Sequence, residues 1–331
     1  MKKPILGIHS FYTADLNHGP FKSIDLLIQL ASAMYWQKSF GPICLYTTDE
    51  AESQLFQYGM HRAYSMIDTV RYRESVYLPR FWALNKMQVT AAMGKSFSQV
   101  CMLDRDFYIK SQKYFDADAQ LLAYHEETVN FENPRSGYPN PEGLYQVAEV
   151  ENPIDDWGKT AFNTGMLYLN GAEELMDHWL FHSSIIIRNS HKWMPLPVSG
   201  DMTFIEQYLL SALCKAMKIN AKTYLNAEWT YQPANHTEIN EKNWKYSDPL
   251  EIFSEKLNQE TFHAWGLKTM YYLGKVRTEI LTRVITDLKT DFPGIELVYD
   301  KLFAEAEALL ADTSDYFIDE KTSQAKDESA E

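Results

Sequence analysis

The sequence predicts an α/β protein with a Rossmann-like, mostly parallel central sheet flanked by helices. Short apolar segments alternate with longer segments of helical periodicity over the N-terminal part, and this alternation is typical of parallel strands. One apolar segment runs directly into Asp104 and Asp106, and open α/β sheets bind ligands at the carboxyl ends of their strands. The 331 residues suffice for one large domain or two smaller ones.

The elements of the N-terminal half follow from apolar runs, which predict strands, and from apolar residues at helical spacing, which predict helices. In chain order we expect a strand over 4–9, a helix over 23–38 that begins at Ser23, a strand over 42–47, a helix over 50–58, a helix over 81–93 and a strand over 99–103.

The C-terminal half is less regular. Four prolines and three glycines between residues 130 and 160 predict a long loop. Residues 312–331 carry seven acids and two lysines, a composition that predicts a disordered acidic tail. Between these regions we expect a strand over 164–169, helices over 173–188 and 201–217, a strand end and a turn over 261–268, and helices over 273–288 and 295–310.

The charge and the cysteines restrict the kinds of partner and compartment. A formal net charge of −14 repels phosphate backbones and anionic lipids, which argues against general nucleic-acid binding. Cys44, Cys101 and Cys214 are odd in number and widely spaced, so we expect buried free thiols. The N-terminus lacks the apolar stretch of a signal peptide, and no run approaches the roughly 18 apolar residues of a membrane span. We therefore expect a cytoplasmic protein.

The strongest chemical motif is Asp104-Arg105-Asp106, which follows the apolar run 100–103. In extended backbone, residues two apart point to the same side of a strand. Two carboxylates on one side repel each other unless a cation lies between them, so the pair predicts a divalent-metal site. A solvated turn with two surface acids would show the same spacing, and at this stage it stays open as an alternative.

Two further segments hold groups with suitable chemistry. In the first, His263 can bind a metal through its neutral imidazole, Gly266 lets the backbone approach a phosphate, and Lys268 adds a positive charge. In the second, Asn163 precedes a predicted strand, and its amide can donate and accept hydrogen bonds at once, which suits sugar hydroxyls. The alternatives are a core histidine before a glycine turn, and an asparagine that only opens a strand.

Taken in this order, the three motifs resemble the family-eight glycosyltransferases, the class of glycogenin and the bacterial lipopolysaccharide galactosyltransferases. That family places Asp-x-Asp after an apolar strand, then Asn-Ser/Thr-Gly before a strand, then His-x-x-Gly-x-Lys near the C-terminus. The corresponding segments here are 104–106, 163–165 and 263–268. The resemblance runs from about residue 4 to residue 270. It implies a GT-A fold, a nucleoside-diphosphate sugar donor and Mn²⁺ or Mg²⁺ as the cofactor.

The resemblance also implies ligands for the metal and the donor. Asp104, Asp106 and His263 would hold the metal, and Gly266 and Lys268 would hold the diphosphate. Lys86 lies on the helix before Asp-x-Asp, where the family often has a basic residue that contacts the donor. Asn163 of the second motif would face the sugar, as its amide suggests.

Other positions match the family pattern less closely, which indicates a divergent member. Arg105 stands where small or apolar residues are more usual, and Tyr12 lies in a Ser-Phe-Tyr segment that could stack a base although the family's Thr-Asn pattern is absent. The family's Asp-Gln motif has Glu206 and Gln207 as loose counterparts, with Asp201 as a competitor. These three are the candidate catalytic groups for stabilising the reacting face of the sugar.

On this basis we expect residues 1–270 to form a GT-A transferase domain, residues 271–311 a C-terminal helical extension, and residues 312–331 the tail. The predicted activity is metal-dependent, retaining transfer of a hexose from a nucleoside-diphosphate sugar, with a UDP-sugar favoured, to a glycan, lipid or protein acceptor. Two alternatives stay open. One is a haloacid-dehalogenase-like phosphohydrolase with Asp104 as nucleophile, although Tyr108 stands where that class has Thr or Val. The other is a non-catalytic nucleotide- or carbohydrate-binding module.

Overall fold

The computed structural model describes residues 4–11, 21–69, 83–113, 115–129, 138, 140–148, 151–152, 154–189, 202–224, 228–229, 261–263 and 274–314. The strands are β1 (Leu6–Phe11), β2 (Ile43–Thr47), β3 (Met66–Asp68), β4 (Gln99–Leu103), β5 (Phe107–Ile109), β6 (Leu121–Thr128), β7 (Thr160–Asn170), β8 (Ala221–Thr223), β9 (Glu228–Trp229) and β10 (Thr261–His263).

The helices divide between the N-terminal, middle and C-terminal parts of the chain. They are α1 (Lys22–Ser39), α2 (Asp49–Phe56), α3 (Leu84–Ser96), α4 (Pro141–Ala148), α5 (Glu173–Asn189), α6 (Leu209–Ala216), α7 (Gly274–Asp291), α8 (Ile295–Val298) and α9 (Asp300–Ala311), with a 3₁₀ turn at Met60–Ala63 and a π-helical turn at Phe204–Tyr208.

Eight of the described strands form one sheet, in the order β3-β2-β1-β4-β7-β6-β8 with β9 paired to β6. The first four strands of this order are parallel, and β6 is parallel to β8 and β9. Among the described strands of this sheet, only β7 is antiparallel to its neighbours, β4 and β6. The GT-A arrangement predicted from the sequence, a Rossmann-like and mostly parallel sheet flanked by helices with further helices toward the C-terminus, is confirmed.

A separate two-stranded sheet lies beyond the end of β4. Here β10 pairs with β5 in antiparallel register, so that His263 lies opposite Phe107. Because β5 begins four residues after β4 ends, the chain passes directly from the large sheet to the small one. The segment between them is the Asp-Arg-Asp motif, so both sheets meet at the candidate site.

The core has two parts, one on each face of the large sheet. Successive residues of β4 alternate between them, with Val100 and Met102 on one face and Cys101 and Leu103 on the other. The first face is covered by α3, α5 and α6, and the second by α1, α7 and α9. Close packing explains Gly7 of β1, because a Cβ there would lie 2.4 Å from the indole nitrogen of Trp36. The three cysteines are free and buried, as predicted.

The least regular region differs most from the sequence-based expectation. The predicted loop over 130–160 contains α4, and the strand predicted at 164–169 extends over Thr160–Asn170 because its first half pairs with β6. The strand β6 was not predicted from the sequence. A π-helical turn precedes α6 where one continuous helix over 201–217 was expected.

The C-terminal helices pack on α1 and share its core. Val276, Ile280 and Val284 of α7 and Leu302 of α9 are fully buried there. The fully buried Arg277 donates hydrogen bonds to the backbone oxygens of Asp312 (2.6 Å) and Ser314 (2.7 Å), so the first residues after α9 lie against α7. The rest of the predicted tail lies outside the described residues. Within the described part of the chain, no helix is both long and apolar enough to cross a membrane.

Candidate functional site

The Asp-Arg-Asp motif forms a tight turn at the carboxyl end of β4. The Asp104 amide donates to the Gly165 oxygen of β7 (2.8 Å), and the Phe107 amide donates to the Asp104 oxygen (3.1 Å). The two aspartates are therefore displayed by a turn and not by the extended strand that their spacing suggested. The Arg105 guanidinium lies over the Phe11 ring at the end of β1, 4.3 Å from its centre. Its aromatic contact accounts for an arginine between two acids.

His263 reaches the same point from the small sheet. Ligand atoms of Asp104, Asp106 and His263 all lie within 4.8 Å of one another, and His263 Nε2 is 3.9 Å from Asp106 Oδ1. Its ring packs edge-on against Phe107 and Tyr124 and is buried. Residues 104 and 263 thus approach each other from elements more than 150 positions apart in the chain.

Gly165 of β7 makes room for the His263 ring. A Cβ at this position would lie 2.7 Å from His263 Cε1 and 3.1 Å from its Nε2, closer than side chains approach. The position lies within a regular strand, so the requirement for glycine is one of space. It leaves the imidazole against the β7 backbone with Nε2 toward Asp106.

The donor set of these three side chains fits a divalent cation. Two carboxylates and one imidazole offer three ligand atoms, and metal–ligand bonds of about 2.0–2.6 Å span the observed separations. The two carboxylates would also repel each other less with a cation between them. Among the described residues, this is the only group of three such side chains with suitable spacing.

Lys86 of α3 brings a positive charge to the same edge of the sheet. Its ammonium lies 2.6 Å from Asp104 Oδ1 and 2.5 Å from Glu206 Oε1, and donates to the Thr164 backbone oxygen at 2.8 Å. Thr164 also donates its hydroxyl to Glu206 Oε1 (2.7 Å). Burial alone would lower the pKa of Lys86, but the carboxylates of Asp104 and Glu206 outweigh it and raise that pKa. Lys86 is therefore charged throughout the physiological range.

A second polar network lies beside the first and depends on neutral donors. Asn163 donates from Nδ2 to Glu127 Oε1 (2.9 Å), while its Oδ1 accepts from the Gly165 amide (3.0 Å). The Tyr138 hydroxyl lies 2.9 Å from Glu127 Oε2 and 2.6 Å from Gln207 Oε1. Glu127 is nine-tenths buried and holds Asn163 in one orientation.

The Tyr138 hydroxyl is shared between two acceptors. Its contact with Gln207 Oε1, at 2.6 Å, is shorter than its contact with Glu127 Oε2, at 2.9 Å, and a hydroxyl has one hydrogen to donate. Tyr138 therefore links the buried Glu127 to the π-helical turn that carries Gln207.

The π-helical turn presents Glu206 and Gln207 together. Such turns insert an extra residue into a helix and are frequent at functional sites. Glu206 is buried against Lys86 and Thr164, and Gln207 is half-buried against Tyr138. The structure thus brings Lys86, Asn163, Glu206 and Gln207 to the edge of the sheet that carries Asp104.

Four of the sequence-predicted site residues cannot be placed. Tyr12, Asp201, Gly266 and Lys268 lie outside the described residues. Conversely, sequence reasoning missed Glu127, Thr164 and Tyr138. A signal existed for Glu127, since residues 121–128 read as apolar residues followed by polar ones, the pattern that identified β4. No comparable pattern marks Tyr138.

Neither a protein-family model nor a curated protein matches the chain. Similar solved structures include the galactosyltransferase LgtC in complex with donor and acceptor sugar analogues (66% of this chain, 73% of that one, 11% identity, TM-score 0.36). They also include apo mouse xyloside xylosyltransferase 1, which matches over 66% of this chain and 84% of that one, with 12% identity and a TM-score of 0.36. A third is the apo bifunctional glycosyltransferase WbbM, which matches over 91% of this chain and 52% of that one, with 14% identity and a TM-score of 0.37. These neighbours are glycosyltransferases, the class that the three motifs predict.

Proposed function

We propose that this protein is a metal-dependent glycosyltransferase that moves a sugar from a nucleoside-diphosphate sugar, most simply a UDP-sugar, to an acceptor. One observation carries the proposal. Asp104 and Asp106 lie in the turn between the two sheets and His263 ends β10, and the ligand atoms of all three lie within 4.8 Å at the carboxyl end of β4, beside a charged lysine. A cation held there would face the crevice in which open α/β sheets bind nucleotides.

The ligand chemistry favours Mn²⁺ over Mg²⁺. Mg²⁺ prefers oxygen ligands in a strict octahedron, whereas an imidazole nitrogen suits first-row transition metals. When bound, the cation would neutralise negative charge on the departing diphosphate and orient it. Asp104, Asp106 and His263 would hold the cation, and Gly266 and Lys268 would add phosphate contacts.

The chain's own side chains divide the remaining work. Transfer breaks the bond between the anomeric carbon and the diphosphate oxygen, whose electron pair leaves with the nucleotide. The acceptor hydroxyl oxygen bonds to the same carbon, and its proton passes to the departing phosphate oxygen, with retention of configuration. Glu206 already accepts hydrogen bonds from Lys86 and Thr164 through Oε1, which suits it to fixing Lys86. Gln207 carries a neutral amide beside Tyr138 and is the better candidate for stabilising positive charge on the sugar, with Asp201 as the competitor.

The phosphohydrolase alternative is not favoured by the residues around Asp104. Tyr108, which stands where that class has Thr or Val, is buried in β5 and donates its hydroxyl to Asp287 (2.6 Å). It therefore serves the small sheet and not a phosphate. A non-catalytic binding module would share the metal geometry, so turnover distinguishes it. A cytoplasmic location stays a prediction.

A donor screen tests the proposal. The chain is heated with a panel of nucleoside-diphosphate sugars, with and without Mn²⁺, and release of nucleoside diphosphate is followed in parallel. We expect one donor to stabilise the protein only with Mn²⁺, by about 2.7 kcal/mol at 100 times its dissociation constant, and to be turned over. The Gly165→Ala variant should lose this Mn²⁺ dependence because its Cβ displaces His263. Gly143→Ala is the control, since a Cβ there meets nothing within 4 Å. Stabilisation equal in Mn²⁺ and in chelator for every donor would contradict the proposal.

A further inference from the structure

The small sheet carries two of the three candidate metal ligands. Asp106 directly precedes β5, and His263 ends β10. Three register pairs join these strands, from Thr261 opposite Ile109 to His263 opposite Phe107. Because a slip of one residue would turn His263 to the other side, the separation of the two ligands depends on whatever fixes this short register.

Helix α7 holds β10 through Arg283. The guanidinium donates from Nη2 to the backbone oxygen of Thr261 (2.9 Å) and lies over the Phe262 ring, 5.1 Å from its centre. Both contacts are to residues immediately before His263. A planar guanidinium with several donors can make both contacts at once.

The same helix holds β5 through Asp287, one turn further along. Asp287 Oδ2 accepts the Tyr108 hydroxyl (2.6 Å), and Oδ1 lies 2.6 Å from the Lys110 ammonium. Arg283 Nε is 3.9 Å from Asp287 Oδ2, so the two residues also support each other. One helix therefore contacts both strands of the small sheet with charged side chains four residues apart.

A column of flat groups extends these contacts to α1. The Arg283 guanidinium covers Phe262, Phe262 stacks on Tyr108 at 5.3 Å and 22°, and Tyr108 stacks on Tyr35 at 5.3 Å and 22°. Tyr35 in turn donates its hydroxyl to Asp291 Oδ2 of α7 (2.6 Å). The column thus begins and ends at residues of α7 and includes one side chain from each of β10 and β5.

We infer that Arg283 and Asp287 are positioning residues for the metal site. By fixing β10 against β5, they set the separation of His263 from Asp106, although neither touches the site. The inference rests on the proposed function, since it concerns the affinity of the same three ligands for a divalent cation. The sequence-based prediction confined the transferase domain to residues 1–270, whereas this inference gives helix α7, beyond residue 270, a part in the site.

Titration of the full-length chain with Mn²⁺ alone, followed by calorimetry or by the electron paramagnetic resonance of free Mn²⁺, tests the inference. Arg283→Met keeps the length and the apolar contact with Phe262 but removes the donors. We expect it to weaken Mn²⁺ binding about tenfold or more, as loss of outer supporting contacts does at metal sites. Lys289→Met is the control. It lies on the same helix and pairs with Glu307 at 2.7 Å on the exposed surface, and its affinity should stay within about twofold.

Two outcomes overturn an idea and are distinguishable. A wild-type chain that does not bind Mn²⁺ overturns the proposed function and this inference with it. A wild-type chain that binds, with a folded Arg283→Met variant binding equally well, overturns this inference alone. If circular dichroism shows that Arg283→Met is unfolded, Asp287→Asn is judged by the same criterion, because the amide keeps the acceptor for Tyr108 and loses the charge that holds Lys110 and Arg283.

Discussion

Two buried polar clusters of this protein respond to burial in opposite ways. In β1, His9 is enclosed by neutral partners, with Nδ1 2.8 Å from the Tyr64 hydroxyl and Nε2 2.9 Å from Ser32 Oγ. Burial, with a smaller contribution from Arg105, lowers the pKa of His9 to about 3. At the end of β4, Lys86 is almost as deeply buried, yet Asp104 and Glu206 overcome the effect of burial and raise the pKa of Lys86.

The difference separates a closed structural cluster from an open functional one. His9 stays neutral because it is buried between two hydroxyls, and the charged group that acts on it, Arg105, lowers its pKa further. Lys86 stays charged because two carboxylates surround it, and one of them, Asp104, is also a candidate metal ligand. Of these two clusters, the one that retains its charge is the one where a charged ligand is proposed to bind.

The largest effect should follow from Lys86→Met. Removing the ammonium leaves Glu206 buried and Asp104 partly buried without their cation, and breaking such a pair typically costs 3–5 kcal/mol. Because Asp104 is about a third exposed, we expect a loss of about 3 kcal/mol in metal-free protein, measured by urea unfolding. The matched control is Lys215→Met, whose pair with Asp156 is exposed, so its loss of unfolding free energy should be far smaller. Equal losses in the two variants would break the comparison.

The next effect concerns acid stability. The pKa of His9 is about 3 in the folded chain and about 6.5 unfolded, so the unfolded state binds the extra proton first as the pH falls. The contribution of neutral His9 to the free energy of unfolding is therefore complete above pH 6.5 and declines below it. At pH 5, about 1.5 pH units below the unfolded pKa, the loss is about 2 kcal/mol. His9→Gln should remove this part of the pH dependence while keeping a donor and an acceptor. Unfolding free energies at pH 8 and pH 5 measure it; parallel slopes for the two proteins would show that His9 protonates in the folded state.

The smallest effect should come from Glu127→Gln. This carboxylate is as buried as Glu206 but is held by neutral donors, Asn163 and Tyr138. An amide keeps one acceptor and removes a charge without leaving a cation unpaired, so we expect a loss of about 1 kcal/mol in unfolding free energy. A loss as large as that for Lys86→Met would mean that Glu127 and Lys86 belong to one electrostatic network. It would contradict the distinction between the charged cluster and those held by neutral partners.

How much the sequence can predict depends on how local each signal is. Asp104 and Asp106 could be predicted because one apolar strand delivers them, and β4 was predicted with its observed ends. The fold class followed from alternation of strands and helices. The ion pair of Lys86 with Glu206 could not be predicted, because 120 residues separate the two and only the packing of α3 beside the π-helical turn brings them together. The predicted geometry of the aspartate pair was wrong in detail, since the turn closed by Phe107 replaces an extended strand.

The most direct test of the central claim is calorimetry of a uridine or guanosine diphosphate, with and without Mn²⁺, on the wild-type chain and on Asp106→Asn. The substitution keeps the size of the side chain and removes a carboxylate beside Asp104, so the metal-free variant should be as stable as wild type or slightly more stable. Asp156→Asn, on the exposed surface, is the control. If Asp106 ligates the cation, the wild type and the control bind the nucleotide more tightly with Mn²⁺, and Asp106→Asn loses that increase. Unchanged Mn²⁺-dependent binding in Asp106→Asn would contradict the account.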